Sequence, residues 1–193
     1  MNIHNFISIS LVWLIAGSAA ASETCTERMV DTSKLEVGHL MEVSFGTEKV
    51  GIYRRSTLEV NGLSSNPALG VDDEIPGWWP RNKTPLAAKE VATSTLRSLS
   101  DDLFVFWLPS SVYGCYVKHL PKNSSIGKII SKSWAGGFFD PCNGVGYDYA
   151  GRSVVQPKVM DETAPPKTLT SLSLMIPPYQ VIKSIESIVL KCS

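Results

Sequence analysis

The sequence predicts an all-β fold from the pattern of its apolar segments. Leu40–Phe45 alternates apolar and polar residues, as a half-buried strand does, and the short turn after it predicts a hairpin with Lys49–Arg55. Further apolar segments of strand length lie at Leu103–Leu108, Leu172–Ile176 and Ile185–Leu190. With 193 residues and 44% hydrophobic content, the chain is long enough for one compact domain with its own core.

The segment between the hairpin and the third strand has a different composition. Residues 57–100 are rich in Pro, Gly, Ser and Asn, so they are predicted to be irregular. Within them, Thr84 followed by Pro85 predicts the start of a short helix that runs to Ala92. The adjacent Trp78 and Trp79 are interpreted as packing under this long segment, and the alternative is a partner-binding knob.

The first 21 residues have the pattern of an export signal. An apolar core runs from Phe6 to Ala16, and the small residues Ala19 and Ala21 suit a signal peptidase, so cleavage after Ala21 is expected. The alternative is an uncleaved membrane anchor, although the 16 residues of Phe6–Ala21 fall short of the roughly 20 that a spanning helix needs. We therefore expect a periplasmic or secreted protein, associated with the membrane only if this segment is retained.

Charge and cysteine usage narrow the function classes further. The formal net charge is zero, which argues against a nucleic-acid-binding surface, because such a surface needs a basic excess. Export would place the cysteines in an oxidising compartment, where disulfides form. The cysteines are Cys25, Cys115, Cys142 and Cys192. Four cysteines allow three pairings, and the sequence alone does not choose among them.

Residues 136–152, GGFFDPCNGVGYDYAGR, form the most informative motif of the chain. This motif resembles the second cluster-binding box of the Rieske iron–sulfur proteins of cytochrome bc complexes, which reads roughly G-x-F-x-C-P-C-H-G-S-x-Y-D-x-x-G-R. Two other segments are similar to the same family: VDTSKLEVGHLMEVSFGTEKVGIYRRST at 30–57, and Pro177-Pro178-Tyr179 near the end. The resemblance implies a Rieske-like antiparallel β-sandwich base carrying a small two-loop subdomain.

The resemblance also implies domain boundaries and disulfides. After the signal at 1–21, the base would comprise 22–108 and 152–193, and the subdomain 109–151. In the family, two cysteines clamp the two loops together, and here Cys115 and Cys142 hold those positions. The terminal strands of the fold lie side by side, which implies that Cys25 pairs with Cys192.

The positions that would ligate a 2Fe-2S cluster are all replaced. Such a centre needs two cysteine thiolates and two histidines. In the second box, Asp140 stands at the cysteine position and Asn143 at the histidine position. Aligning Cys115 with the end of the first box places Ser110 and Val112 at its cysteine and histidine positions. Sulfide-bridged iron prefers thiolate and imidazole donors, so no cluster and no other cofactor are expected.

Two further residues bear on the same region. Tyr147 matches the family's tyrosine that hydrogen-bonds to a cluster sulfur, whereas Val145 replaces the serine that does the same. His119 follows Cys115 by four residues and could hold a mononuclear metal together with Asp140. The preferred interpretation is a solvated loop histidine.

These observations predict an exported, clusterless relative of the Rieske proteins. It would act as a structural or accessory interaction subunit of an envelope or respiratory assembly, with an unidentified protein partner and without enzyme activity. One alternative is an electron-transfer subunit of the ubiquinol–cytochrome c reductase type with unusual ligation. The other is a thiol–disulfide redox protein that uses Cys115 and Cys142, although this pair lacks a C-x-x-C arrangement.

Overall fold

The computed structural model describes residues 25–65, 86–87, 89–111, 114–130, 134–154 and 173–192. The expected signal at 1–21, the Trp78–Trp79 pair, the helix start at Thr84–Pro85 and Val112 lie outside the described residues. Within the described part of the chain, no helix combines the length and the apolar character needed to cross a membrane.

The described residues form nine strands and three short α-helices. In chain order these are β1 (Arg28–Asp31), β2 (Leu40–Phe45), β3 (Glu48–Arg54), α1 (Thr57–Ser64), α2 (Lys89–Thr93), β4 (Leu103–Trp107), β5 (Lys118–Leu120), α3 (Ser125–Ile130), β6 (Gly137–Asp140), β7 (Val145–Tyr147), β8 (Tyr179–Ile182) and β9 (Ser187–Leu190). The strands make three antiparallel sheets, in the orders β1-β9-β8, β2-β3-β4 and β5-β6-β7. The all-β prediction is confirmed.

The β2-β3-β4 sheet supplies much of the core. The predicted hairpin is present, with Phe45 opposite Glu48 across a two-residue turn. Gly46 in that turn has φ +60°, a conformation that other residues adopt at a steric cost. All five residues of β4 are buried, which explains their continuous apolar run. Aromatic contacts extend this core to the third sheet, where the ring of Phe138 lies 4.6 Å from that of Phe106.

The β1-β9-β8 sheet brings the two ends of the described chain together. Strand β1 pairs antiparallel with β9, so that Arg28 lies opposite Leu190. Cys25 and Cys192 lie just beyond this pair and form a disulfide, as predicted. An ion pair between Lys191 and Glu27, with 3.0 Å between Nζ and Oε2, lies in the same region.

One predicted strand is wrong and another is shorter than expected. Residues 173–178 are not part of any sheet, although 173–177 are buried. Their backbone groups bond to separate partners: Leu174 N–H donates to Gly151, while the carbonyls of Met175 and Ile176 accept from Trp107 and Ala87. Because these backbone groups bond to three different parts of the chain, they do not form the regular series of hydrogen bonds that pairs two strands. The strand predicted at 185–190 begins only at 187, after a 3-10 turn.

The segment 57–100, predicted to be irregular, contains α1 and α2. Helix α1 begins with a capping box: Ser56 Oγ accepts from Glu59 N–H, and Glu59 Oε2 accepts from Ser56 N–H. This Ser-x-x-Glu spacing satisfies two N–H groups that the first turn of a helix leaves unpaired. The composition of the longer segment obscured this local signal. Helix α2 overlaps the predicted helix and ends at Thr93.

Two buried arginines hold the irregular segments in place. The Arg97 guanidinium donates to the carbonyls of Ala92, Ala150, Gly151 and Leu174, at distances from 2.7 to 3.2 Å. Arg55 similarly donates to the carbonyls of Leu96, Tyr149, Ser100 and Leu103. Burial lowers the pKa of each arginine to about 10, so both remain charged at neutral pH. These arginines donate to backbone acceptors that lie mostly outside the sheets and helices of the described chain.

Candidate functional site

Two turns meet at one end of the β5-β6-β7 sheet and form the candidate site. The first follows β4 and is closed by two backbone bonds, from Ser110 N–H to the Cys115 carbonyl and from Gly114 N–H to the Ser110 carbonyl. The second connects β6 to β7 through residues 141–144. The predicted disulfide between Cys115 and Cys142 joins the two turns covalently.

The Asp140 side chain organises the second turn. Its Oδ1 accepts from the backbone N–H groups of Cys142 and Asn143, at 2.8 and 3.3 Å. The backbone N–H of Gly144 donates to the Asp140 carbonyl, which closes the turn. An aspartate that bonds to the backbone two and three residues ahead is a common way to fix a tight turn. The Asp-Pro-Cys-Asn sequence was therefore a readable turn signal.

The same carboxylate joins the two turns non-covalently. Its Oδ2 accepts from Ser110 Oγ at 2.6 Å and from Asn143 Nδ2 at 2.7 Å. Ser110 and Asp140 are both fully buried. Three of the four positions that correspond to cluster ligands in the Rieske resemblance are thus brought together, while Val112 lies outside the described residues. They bond to one another, and sequence reasoning missed this arrangement.

The hydrogen bonds compensate for the burial of a charged group. Four donors surround the Asp140 carboxylate, and within the described ranges no basic side chain forms an ion pair with it. Charge-assisted hydrogen bonds are stronger than neutral ones, and several of them can replace the hydration of a buried carboxylate. The turn is therefore built around a negative charge.

Tyr147 completes the buried wall of this site. Its hydroxyl oxygen is buried and has no hydrogen-bond partner of normal geometry among the described residues. Burial raises the pKa of this hydroxyl, and the nearby Asp140 carboxylate raises it further, so the phenol remains neutral. The Ser110 side chain also interacts with this hydroxyl, so Tyr147 is weakly bonded to the same two turns.

The residues at this site do not fit a 2Fe-2S cluster. The described side chains at the ligand-equivalent positions offer a hydroxyl, a carboxylate and an amide, and the cluster's iron prefers thiolate and imidazole. Both oxygens of Asp140 are already engaged by hydrogen bonds. The cysteines are paired with each other in two disulfides and offer no thiolate in this state.

His119 is not the solvated loop residue that was predicted. It lies in β5, is half-buried, and its ring centroid is 4.8 Å from that of Tyr53. Among the described residues, His119 is not part of the cluster of Cys115, Asp140 and Cys142, whose donor atoms lie within 4.8 Å of one another. Its Nε2 is buried and has no hydrogen-bond partner among the residues that the structure describes, and burial lowers the pKa of His119 below 6.5.

The lowered pKa of His119 predicts a specific pH dependence. Because the folded pKa lies below the usual value of 6.5, the unfolded chain binds a proton first as the pH falls. The free energy of unfolding should therefore fall below pH 6.5 and level off once the folded state is also protonated. We expect well under about 1.4 kcal/mol per pH unit, because the side chain is only partly buried.

The comparison for this pH dependence is the His119→Gln variant, which cannot titrate. Urea unfolding of both proteins between roughly pH 7 and pH 5 should show a weaker loss of stability in the variant. If the free energy of unfolding depends on pH in the same way in both proteins, the pH dependence is not caused by His119.

A separate cavity of about 570 Å³ lies beside α1. Leu58, Glu59, Trp134 and Tyr149 are among the residues that line it. The Glu59 carboxylate accepts from Tyr53 Oη and from the helix cap, so it serves the fold. The cavity wall also holds the buried ion pair between Asp148 and Arg152.

Comparison with known proteins adds no assignment to this geometry. No protein-family model matches the chain, and no curated protein matches it.

Proposed function

We propose that this chain is an exported, clusterless protein of the Rieske-like type that serves as a structural or accessory subunit of an envelope or respiratory assembly. The observation that carries the proposal is the bonding among Ser110, Asp140 and Asn143. Residues at positions expected to ligate iron are instead joined to one another by short hydrogen bonds. In this proposal the two-turn unit has become a rigid element of structure, with a β-sandwich base beneath it.

The disulfides support this proposal. Cys115–Cys142 joins the two turns that a cluster would otherwise bridge, and Cys25–Cys192 joins the ends of the chain. Two disulfides in a chain of this size are typical of proteins that fold in an oxidising compartment. Both features agree with export to the periplasm or beyond.

Exposed apolar side chains support an interaction role. Leu58 at the edge of the cavity is 83% exposed, and Ile129 on α3 is 84% exposed. Single exposed aliphatic side chains are common on soluble proteins, so these two side chains support a partner surface only if they act together in binding. We assign the partner-binding surface to the parts of α1 and α3 that carry these residues.

The thiol–disulfide alternative receives less support from the same site. Although Cys142 is exposed, the Asp140 carboxylate lies within 4.8 Å of both sulfurs. A neighbouring negative charge raises the pKa of a thiol and lowers the thiolate fraction that attacks disulfides. The electron-transfer alternative requires iron donors that the described residues at this site do not supply.

Analysis of iron and acid-labile sulfide tests the proposal directly. Protein purified from its native source under anaerobic conditions should contain neither in stoichiometric amount, and its reduced form should lack a rhombic EPR signal. A Rieske protein that retains its ligands, purified in parallel, is the positive control. Stoichiometric iron with matching labile sulfide would overturn the proposal and favour the electron-transfer alternative.

The partner-binding surface has its own test in native gel electrophoresis of the envelope fraction. The chain should migrate within a larger complex, and Leu58→Asp together with Ile129→Asp should release it. The control is the exposed Val37→Asp, which lies on neither helix. If the protein that carries both Leu58→Asp and Ile129→Asp stays in the complex, the assigned surface is wrong. If the unchanged chain migrates alone, the accessory role is wrong.

A further inference from the structure

We propose that reduction of the Cys115–Cys142 disulfide creates a binding site for one Zn²⁺ ion, ligated by both cysteine thiolates and the Asp140 carboxylate. The two Sγ atoms and a carboxylate oxygen of Asp140 all lie within 4.8 Å of one another. A tetrahedral zinc ion with ligand bonds of 2.0–2.3 Å holds its donors roughly 3–4 Å apart. The Asp140 oxygen therefore already lies near both sulfurs, which would move apart after reduction to reach the required spacing.

The surroundings of Asp140 resemble the outer shell of a metal site. Two backbone N–H groups and the side chains of Ser110 and Asn143 fix the carboxylate from several directions. Ligating carboxylates are commonly oriented by hydrogen bonds of this kind, and the order they impose raises metal affinity. Because the four donors occupy about all the lone-pair sites of the carboxylate, zinc would replace one of these hydrogen bonds and leave the others to orient Asp140.

The buried hydroxyl of Tyr147 lies beside the same carboxylate. It interacts with the Asp140 charge and with the Ser110 side chain, although it has no hydrogen bond of normal geometry among the described residues. The zinc proposal therefore depends on the spacing of the two sulfurs and the Asp140 carboxylate.

The chemistry balances with a dithiol as the reductant. The dithiol transfers two electrons and two protons to the Cys115–Cys142 bond, which becomes two thiols, while the dithiol becomes a disulfide. Zn²⁺ then displaces the two thiol protons and binds the thiolates. The Asp140 charge disfavours free thiolates and favours a bound cation, so the reduced pair is better suited to metal binding than to disulfide exchange.

The second disulfide is an internal control. Cys25–Cys192 lies at the end of the β1-β9-β8 sheet, and among the described residues no third donor is grouped with it. Reduction of that pair should not create a comparable site. The exposure of Cys142 gives a dithiol access to the Cys115–Cys142 bond.

Zinc titration of the mature protein before and after reduction tests this inference. The protein is reduced with dithiothreitol, desalted without oxygen, and titrated with Zn²⁺ in competition with a chromophoric chelator. We expect one bound zinc per chain after reduction and none before it. Asp140→Asn should weaken binding at least tenfold, while the Cys115→Ser/Cys142→Ser double variant should abolish it.

Two further measurements cover the case in which a variant or the reduced protein loses its fold. Co²⁺ added to the reduced wild-type protein should give thiolate-to-metal charge-transfer bands of intensity expected for two thiolates. Zinc should also restore the near-UV circular dichroism of a reduced protein that has loosened. The inference is overturned by sub-stoichiometric zinc, by zinc binding that survives Cys115→Ser/Cys142→Ser, or by a reduced protein that zinc does not restore.

The zinc test and the iron test address different states of the protein. Iron and sulfide are measured in the protein as purified, with both disulfides intact, whereas zinc is measured after reduction. A protein without iron that also binds no zinc would leave the proposed function standing and overturn only this inference.

Discussion

Serine at both Cys25 and Cys192 is expected to lower the free energy of unfolding by about 5 kcal/mol on the chain-entropy argument. The disulfide joins residues separated by 167 positions, so it restricts the unfolded chain strongly. A loss of this size equals the whole stability of many single domains. We therefore expect the variant to be partly unfolded at room temperature. Urea unfolding followed by tryptophan fluorescence measures the change, and intact mass confirms that Cys115–Cys142 remains oxidised.

The second disulfide provides the comparison for this result. Cys115–Cys142 spans 27 positions, and the same argument gives about 3.5 kcal/mol for the Cys115→Ser/Cys142→Ser variant. The order of the two losses is the critical observation. A larger loss at Cys115–Cys142 would show that contacts between the two turns, rather than the length of the closed loop, dominate the stabilisation.

Replacing Arg97 by methionine is expected to lower the free energy of unfolding by about 3–5 kcal/mol, as removal of one partner from a buried charged network does. Arg97 is buried and donates to four backbone carbonyls from three separate parts of the chain. Methionine fills a similar volume without any donor, so the buried carbonyls lose the bonds that Arg97 gives them, although the Gly151 carbonyl keeps its bond from Leu174 N–H. Urea unfolding again provides the measurement.

Two further variants separate this effect from the loss of a positive charge. Arg97→Lys retains the charge, but an ammonium group cannot reproduce the planar fork that reaches carbonyls on several sides, so most of the loss should remain. Arg28→Met removes an exposed arginine and should change the stability by no more than about 0.5 kcal/mol. A full rescue by lysine would mean that charge, and not donor geometry, is what the site requires.

The parts of the fold that the sequence predicted correctly are determined by residues close together in the chain. The β2–β3 hairpin was predictable because alternation and a glycine turn specify it over a short stretch of chain. The segment 173–176 looked equally apolar, yet its backbone bridges Gly151, Trp107 and Ala87 in place of a strand. A paired strand and a buried segment outside any sheet are both apolar, because both are buried. The composition therefore does not predict the hydrogen-bond partner of each backbone group.

The sequence predicted which residues lie at the candidate site, but it did not predict the hydrogen bonds among them. The Rieske resemblance, which remains a prediction, selected Ser110, Asp140 and Asn143 as corresponding positions. The residue types excluded soft donors for iron. The bond between Ser110 and Asp140 joins residues 30 positions apart, so its existence depends on how the two turns meet. The turn formed by Asp140 itself was local, and its Asx pattern was readable in advance.

The Cys25–Cys192 bond also determines how the molecule would respond to mechanical tension. Cys25 and Cys192 are the first and last residues that the structure describes, so the crosslink joins the two ends of the described chain directly. A pulling force applied at both ends would pass through the two sulfurs and would not reach the sheets, because the covalent bond bears it. A tether attached at either end could therefore be stretched without peeling β1 from β9, whereas the reduced protein would unzip from that strand pair.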